Sequence, residues 1–435
     1  MLHRRSFLTL PLASCLQGAE DPPWAVSKPD LKVYIPEKPG GADNTNQHFQ
    51  VVALPDGAFL AIWTQGAGEN APNHRIVSSR STDHGRTWST PLEVDGPQPG
   101  EARMVGVASW AFPIVAPKLK RVYCVYNKNI GIQDVRPADT GALRIKWSED
   151  GGQTWSREFH DYPVGRTDFS HPDPKIPETW IVYQNPLYAA DGRVIAGFTR
   201  WASKAADPDP RNWGRNTEVA FLSFDNILRE KDPAKLQVTT YPNGPGIRLY
   251  AEPEPKKSII QEPTLHALKD GRMLCVMRTY TGKVYFALSS DGARTWGPPR
   301  PLCYEPEGEP ILNPIAPCPL YRVGDGRFLL VFFNNDGGPS GPGAWLKNRT
   351  PAWYTVGREL PNHPIQPIHF GKPRILVDNR AEPLGTEKRT EIATYTSYFE
   401  SRGKRYLWYP DRKHYLLGKY ITDGMLDACD PGKKS

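Results

Sequence analysis

The chain has 435 residues, 39% hydrophobic and 23% charged, with 45 Pro and 38 Gly. That balance suits a folded globular protein, and the Pro and Gly, many in short turn-like clusters, favour many short strands over long helices. A net charge of +7 is what an ordinary solvated surface of this length carries, or a positive mouth that draws in anions. No basic run with interleaved aromatics suggests nucleic acid.

The N-terminus reads as a targeting segment over residues 1–23. Arg4-Arg5-Ser6-Phe7-Leu8 is a twin-arginine pattern before a short apolar region, Phe7 to Ala13. Leu12-Ala13-Ser14-Cys15 also fits a lipoprotein cleavage box, with Cys15 the lipid-bearing residue. These residues imply an exported bacterial protein, periplasmic or held at a membrane by a lipid anchor. No later stretch is long and apolar enough to span a bilayer. The other five cysteines have no metal spacing, and Cys124 and Cys275 lie inside apolar runs, as buried thiols do. No metal and no cofactor is expected.

From about residue 45 one pattern recurs: strand, tight turn, strand. Gln47 to Leu54, Asp56-Gly57 and Ala58 to Gln65 form the first copy. Ser109 to Ala116 and Val122 to Lys128, joined through Lys118-Leu119-Lys120, form the second. The third is Trp180 to Ala189, Asp191-Gly192 and Arg193 to Arg200. The fourth spans Ile259 to Trp296, with turns at Asp270-Gly271, Thr281-Gly282 and Asp291-Gly292. Asn313 to Asn334 around Asp325-Gly326 is the fifth, and Glu391 to Asp411 around Arg402-Gly403 is the sixth. Asp-Gly supplies positive φ cheaply and so marks a hairpin.

A second element follows several hairpins. Ser81 to Trp88, Ser148 to Trp155 and Ser289 to Trp296 all read S-x-D-x-G-x-T-W, except that Ala293 replaces the glycine in the last. Ser223-Phe224-Asp225-Asn226 sits where a worn copy belongs. Repeated four-strand units that cannot bury their own faces must stack on neighbours. Six of them closing in a ring predict an all-β fold: one six-bladed β-propeller of four-stranded antiparallel blades over residues 24–435.

These eight-residue elements are Asp-boxes, and with them the chain resembles the sialidase superfamily of propellers. The resemblance implies that Asp83, Asp150 and Asp291 are structural and that the tryptophans Trp88, Trp155 and Trp296 pack between strands, away from substrate. In a propeller the first strand of each blade lines the central channel. Polar residues there are Glu262, Tyr395, His48 and Gln184, and the ends of the second strands add Lys128, Arg200, Arg278, Asn334 and Asp411. Several cations at one mouth suit a carboxylate or sulfate.

The superfamily sharpens that set. Gln261-Glu262-Pro263 through Met277-Arg278 and on to an Asp-box resembles a segment whose Glu supports a tyrosine nucleophile and whose Arg holds the substrate carboxylate. Asn348-Arg349-Thr350 before Ala352 to Val356 looks like the segment of another carboxylate-binding arginine. Tyr395, opening the inner strand of the last blade, takes the place of the nucleophile, with Tyr398 in reserve. Blade one departs from the family. Asn46 to Val51 carries no arginine, and Gly66 to His74 carries no Asp. His48 stands where the arginine would be, as hydrogen-bond donor or acid/base; Glu69 or His74 would replace the acid.

A phenol is a poor nucleophile near neutral pH unless a neighbouring base takes its proton, and Glu262 can serve Tyr395 that way. An initially neutral nucleophile suits a sugar with a carboxylate beside its anomeric carbon. The expected activity is therefore hydrolysis of a terminal acidic sugar from a glycan by a monomeric sialidase-like exo-glycosidase. Arg278, Arg349, Arg200, Lys128 and Asp411 would contact substrate. Two rivals are a uronate-directed polysaccharide lyase, which needs His48 near Tyr395, and a non-catalytic glycan-binding propeller.

Overall fold

A computed structural model describes residues 22–209, 215–338, 348–385 and 387–433. The leader, with Arg4, Arg5 and Cys15, lies outside them. Six antiparallel sheets follow one another along the chain, each begun by the strand nearest the ring axis. Blade 1 is Thr45–Ala53, Phe59–Gly66, Arg75–Ser81 and Leu92–Asp95. Blade 2 is Ala108–Ala116, Arg121–Lys128, Ala142–Ser148 and His160–Tyr162. Blade 4 is Ile260–Ala267, Met273–Thr279, Tyr285–Ser289 and Arg300–Pro301.

Blades 3 and 5 each have one position filled by two short strands. In blade 3 the inner strand is Thr179–Ile181 and then Leu187–Tyr188, both pairing with Val194–Trp201. Pro186 separates the pieces because it has no N–H to give the ladder. Thr217–Phe224 and Val238–Tyr241 complete that blade. In blade 5 the inner strand shortens to Leu320–Arg322, since Pro314, Pro317 and Pro319 stop pairing before it. Phe328–Phe332 and Ala352–Glu359 follow, and Ile368–Phe370 and Arg374–Val377 share the outer edge.

Blade 6 closes the ring. Ser397–Ser401, Lys404–Asp411 and Tyr415–Tyr420 come from the end of the chain, and the fourth strand, Leu31–Tyr34, comes from its beginning. Pairing the two ends locks the ring, because blade 6 is complete only when the first strand joins the last three.

Alternating strands put apolar residues on both faces of every blade, so the core is six wedges, one between each pair of neighbours. Phe49, Trp63 and Phe59 of blade 1 pack on Tyr406, Trp408 and Leu416 of blade 6. Ile62 and Leu60 face Cys124 and Tyr126 across the next seam. Cys275 fills the seam between blades 3 and 4, so both apolar-run thiols are buried. Burying each large side chain stabilises the ring by about 2–3 kcal/mol.

The Asp-boxes staple the outer hairpins. Asp291 Oδ1 accepts from Ser289 Oγ at 2.8 Å and from the Arg294 and Thr295 amides, while Oδ2 accepts from Thr295 Oγ1 at 2.5 Å. Asp83 and Asp150 make the corresponding bonds to Thr87 and Thr154. Burial alone would raise Asp83 and Asp291, but the hydrogen bonds from Thr87 and Thr295 bring both down to about 2. Ala293 takes the left-handed backbone, φ 69°, that Gly85 and Gly152 supply in the other boxes. The worn copy keeps one contact, Ser223 Oγ to Asp225 Oδ1 at 2.5 Å. Trp155 donates to Ser78 Oγ of blade 1, and Trp296 stacks on Phe221 of blade 3 at 4.6 Å. Each of these two tryptophans therefore ties its blade to the preceding one.

Candidate active site

Three inner strands break their ladder near one end, and in blade 6 the turn just before the inner strand Ser397–Ser401 bends there too. His48, Trp110, Glu262 and Tyr395 all have positive φ, between 48° and 67°, where residues with a Cβ are strained. Pairing slips between Gln47 and Gln50, between Ser109 and Phe112, and between Gln261 and Pro263. Such bulges re-aim a side chain, and these four all line one pocket. Two bulge amides are satisfied by the preceding blade: Trp110 N donates to Thr64 Oγ1 at 2.9 Å, and Glu262 N donates to Thr199 Oγ1 at 2.7 Å.

The pocket encloses about 480 Å³, its open mouth included. At its floor the Tyr395 hydroxyl donates to Glu262 Oε1 at 3.1 Å, joining two residues 133 positions apart. Arg278 Nη1 lies 2.8 Å from Glu262 Oε2, and Gln261 Oε1 accepts from Arg278 Nε and Nη2, which fixes the plane of the guanidinium. Arg349 lines the same wall and donates to the Ile315 carbonyl. The four residues that the resemblance scattered over blades 4, 5 and 6 therefore meet, with His48, at one opening.

Burial dominates the electrostatics. It pushes the Glu262 carboxyl up from the usual carboxylate range, against the pull of Arg278 and Arg349. Burial and the neighbouring Glu262 charge push the Tyr395 phenol up. A raised carboxyl in contact with a phenol is a better proton acceptor than a free one. Burial, then Lys413, holds the His48 imidazole well below its ordinary range, so the ring is neutral near pH 7. It stacks on Tyr395 at 4.2 Å and lies 3.9 Å from Trp110, and neither ring nitrogen has a partner among the described residues.

Of the blade-one substitutes, Glu69 reaches the pocket and His74 does not. Glu69 Oε2 meets Lys413 Nζ at 2.9 Å and Arg389 Nη2 at 3.0 Å. Burial would raise this carboxyl, but the Lys413 and Arg389 charges hold it well below its usual range. His74 is fully buried between Ser109 Oγ and the Gly68 carbonyl.

Three expected contacts are not brought to the pocket. Arg200 is spent on Glu218 Oε1 at 2.5 Å and Glu178 Oε2 at 3.0 Å. Lys128 bonds Asp95 at 2.8 Å, and Asp411 bonds Arg412 and Asn379. Each is in direct contact with its own counter-ion, so a local pair satisfies it. Gln184 lies in the channel against Tyr321 and the Thr396 carbonyl, and Asn334 faces Tyr304. The reserve Tyr398 donates instead to Glu400.

Lys413, Arg136, Trp110 and Trp201 line the pocket without having been foreseen. Trp110 had a signal: it occupies in its hairpin the position that His48 and Glu262 occupy in theirs. The two cations had none, because they come from turns between strands rather than from the repeat.

The described residues hold no group of three or more His, Cys, Asp or Glu side chains able to bind a metal, and no helix among them is long and apolar enough to cross a membrane. Solved structures with this architecture include the Hadza microbial sialidase Hz136. It is 13% identical, with a TM-score of 0.59 over 88% of this chain and 67% of that one. The NanB sialidase from Streptococcus pneumoniae is 12% identical, with a TM-score of 0.59 over 91% and 70%. The intramolecular trans-sialidase from Ruminococcus gnavus is 14% identical, with a TM-score of 0.57 over 91% and 98%. At such identities the likeness is one of fold. No curated relative matches the sequence. The BNR repeat-like domain description matches residues 57–352. By that match, and by a ring of six blades three of which bear complete Asp-boxes, the chain belongs to the BNR repeat-like family of sialidase-type β-propellers.

Proposed function

We propose that the protein is an exo-glycosidase that hydrolyses a terminal acidic sugar from a glycan. The observation that carries this reading is the hydrogen bond from Tyr395 to Glu262, with Arg278 and Arg349 beside it in one pocket. Glu262 Oε1 accepts the phenol proton as Tyr395 Oη attacks the anomeric carbon and the glycosidic C–O bond breaks. The departing oxygen takes its proton from water at the pocket mouth. A water then displaces Tyr395 Oη, which recovers its proton from Glu262. The arginines face the sugar carboxylate, and their charges favour the developing phenolate. Glu69, kept ionised by Lys413 and Arg389, suits the later activation of water better than protonation of the leaving group. Export by the Arg4-Arg5 leader, with Cys15 as an anchor, belongs to the same proposal, since such glycans are met outside the cytoplasm.

One observation favours a second reading. His48 stacks on Tyr395 with both nitrogens unpartnered, an arrangement that an acid–base pair in a uronate lyase would also use. Product analysis on glycans ending in sialic or uronic acids separates the two. Hydrolysis releases a saturated acidic monosaccharide. A lyase leaves a double bond that absorbs in the ultraviolet, and a binding module releases nothing. Unchanged turnover in Tyr395→Phe and Glu262→Gln would remove both residues from their roles.

A further inference from the structure

The pocket wall carries four cationic side chains, Arg136, Arg278, Arg349 and Lys413, against two carboxylates, Glu262 and Glu69. Arg278 is paired with Glu262, Arg136 with Asp139 at 2.8 Å, and Arg349 bonds the Ile315 carbonyl. Lys413 is placed differently. It occupies the tight turn after Lys404–Asp411 with a left-handed backbone, φ 49°. Its carbonyl accepts from the Asn46 amide at 2.6 Å, which ties this turn to the inner strand of blade 1, two residues before His48. Its side chain is 4% exposed, and its Nζ stands 5.5 Å from the centre of the Tyr395 ring.

Among the described residues that ammonium has one hydrogen-bond partner, Glu69 Oε2. An ammonium has three donors, so two remain for a ligand. Glu69 is less confined, with 28% of its side chain exposed, and it also holds Arg389. It can turn from Lys413 without losing its counter-ion. Buried ammonium groups are costly unless paired with an anion, and the pocket already positions one carboxylate oxygen against this one.

We infer that Lys413 recognises the carboxylate of the substrate, and that Glu69 is an internal carboxylate which holds the ammonium in place and yields it to the incoming acid. This deepens the acidic-sugar reading and rests on it. It assigns the specificity of a pocket whose blade 1 strand, Thr45–Ala53, contains no cationic residue to a turn of blade 6.

The test is calorimetric binding to the full chain at pH 7 of N-acetylneuraminic acid and D-glucuronic acid, each beside its methyl ester. The wild type is expected to bind at least one acid more tightly than its ester. Lys413→Met should weaken that acid by about ten- to a hundred-fold, the range for a hydrogen bond to a charged group, and leave the ester within about two-fold. Lys413→Arg should keep the preference, which shows that the turn still folds. The double variant Lys413→Met with Glu69→Gln should bind the acid no more tightly than Lys413→Met alone. A wild type indifferent to esterification overturns the inference. So does Lys413→Met binding the acid normally, or losing acid and ester alike. A double variant that regains the preference also overturns it, because Lys413 would then act only by screening Glu69. Preference for the acid without cleavage of any glycoside upholds Lys413 while removing the hydrolase reading.

Discussion

The Asp-box rim and the axial pocket are built from the same residue types and treat them in opposite ways. Asp291 is served by hydrogen bonds from within four residues of itself, and its carboxyl is driven down to about 2. Glu262 is served by Tyr395, 133 residues away, and by Arg278, and burial drives its carboxyl up. The rim residues complete themselves locally, so they stabilise and do nothing more. His48, Trp110, Glu262 and Tyr395 sit on backbone of strained, positive φ, and the His48 ring nitrogens are left with no hydrogen-bond partner among the described residues. Strain and incomplete bonding collect where a ligand would supply the missing partners.

Substitutions can break this contrast. The largest effect belongs to the pocket floor. Tyr395→Phe removes the hydroxyl that attacks the sugar, so turnover should fall by about 10⁴-fold or more, as when a covalent nucleophile is deleted. Its urea midpoint should stay close to that of the wild type. A large stability loss with normal turnover per folded molecule would make Tyr395 a core residue instead.

Arg200→Met should do the reverse. It removes the closest cation from buried Glu178 and Glu218, which keep Arg166 and Arg248, and removing one partner of a buried ion pair costs up to about 3–5 kcal/mol. Urea unfolding should show that loss, while kcat per folded molecule stays unchanged. A lowered kcat at full stability would return Arg200 to the substrate contacts.

The acid side of the pH profile sharpens the comparison further. Burial holds His74 at about 4, so the unfolded chain binds a proton there that the folded chain does not. Stability from this group is complete above pH 6.5 and declines as pH falls from 6.5 to 4, by about 3 kcal/mol in all. His48 contributes in the same direction. Denaturant titrations at pH 7 and pH 4.5 measure the slope, and His74→Gln should flatten it.

The smallest effect lies on the rim. Asp291→Ala removes a box that hydrogen bonds hold at the surface, and about 1–2 kcal/mol of stability should go with it. Catalysis should not change. If Asp291→Ala lowered kcat more than stability, the separation of rim from pocket would fail.

The same contrast explains what could be read from the sequence. The Asp-boxes and the hairpins are short-range, since each of the three eight-residue strings contains both donors and acceptors, and six copies of the strand–turn–strand unit announce the ring. Glu262, Arg278, Arg349 and Tyr395 were legible through the family's segments around them. Lys128, Arg200 and Asp411 were misplaced because a charge at a strand end looks the same whether it faces the axis or a partner on the next strand. Asp95 and Glu218, which decide that question, sit in other strands. Lys413 was hidden for a related reason. Its place beside Tyr395 comes from a turn that meets blade 1 only when the ring closes.

The central claim is that Tyr395 attacks the sugar while Glu262 takes its proton. A fluorinated acidic sugar with a good leaving group slows release of an enzyme-bound intermediate, and mass spectrometry of the digested protein then locates the adduct. The account predicts that the peptide containing Tyr395 gains the mass of the sugar and that Tyr395→Phe gains none. Turnover of the probe with the sugar attached to another side chain, or to none, would contradict it.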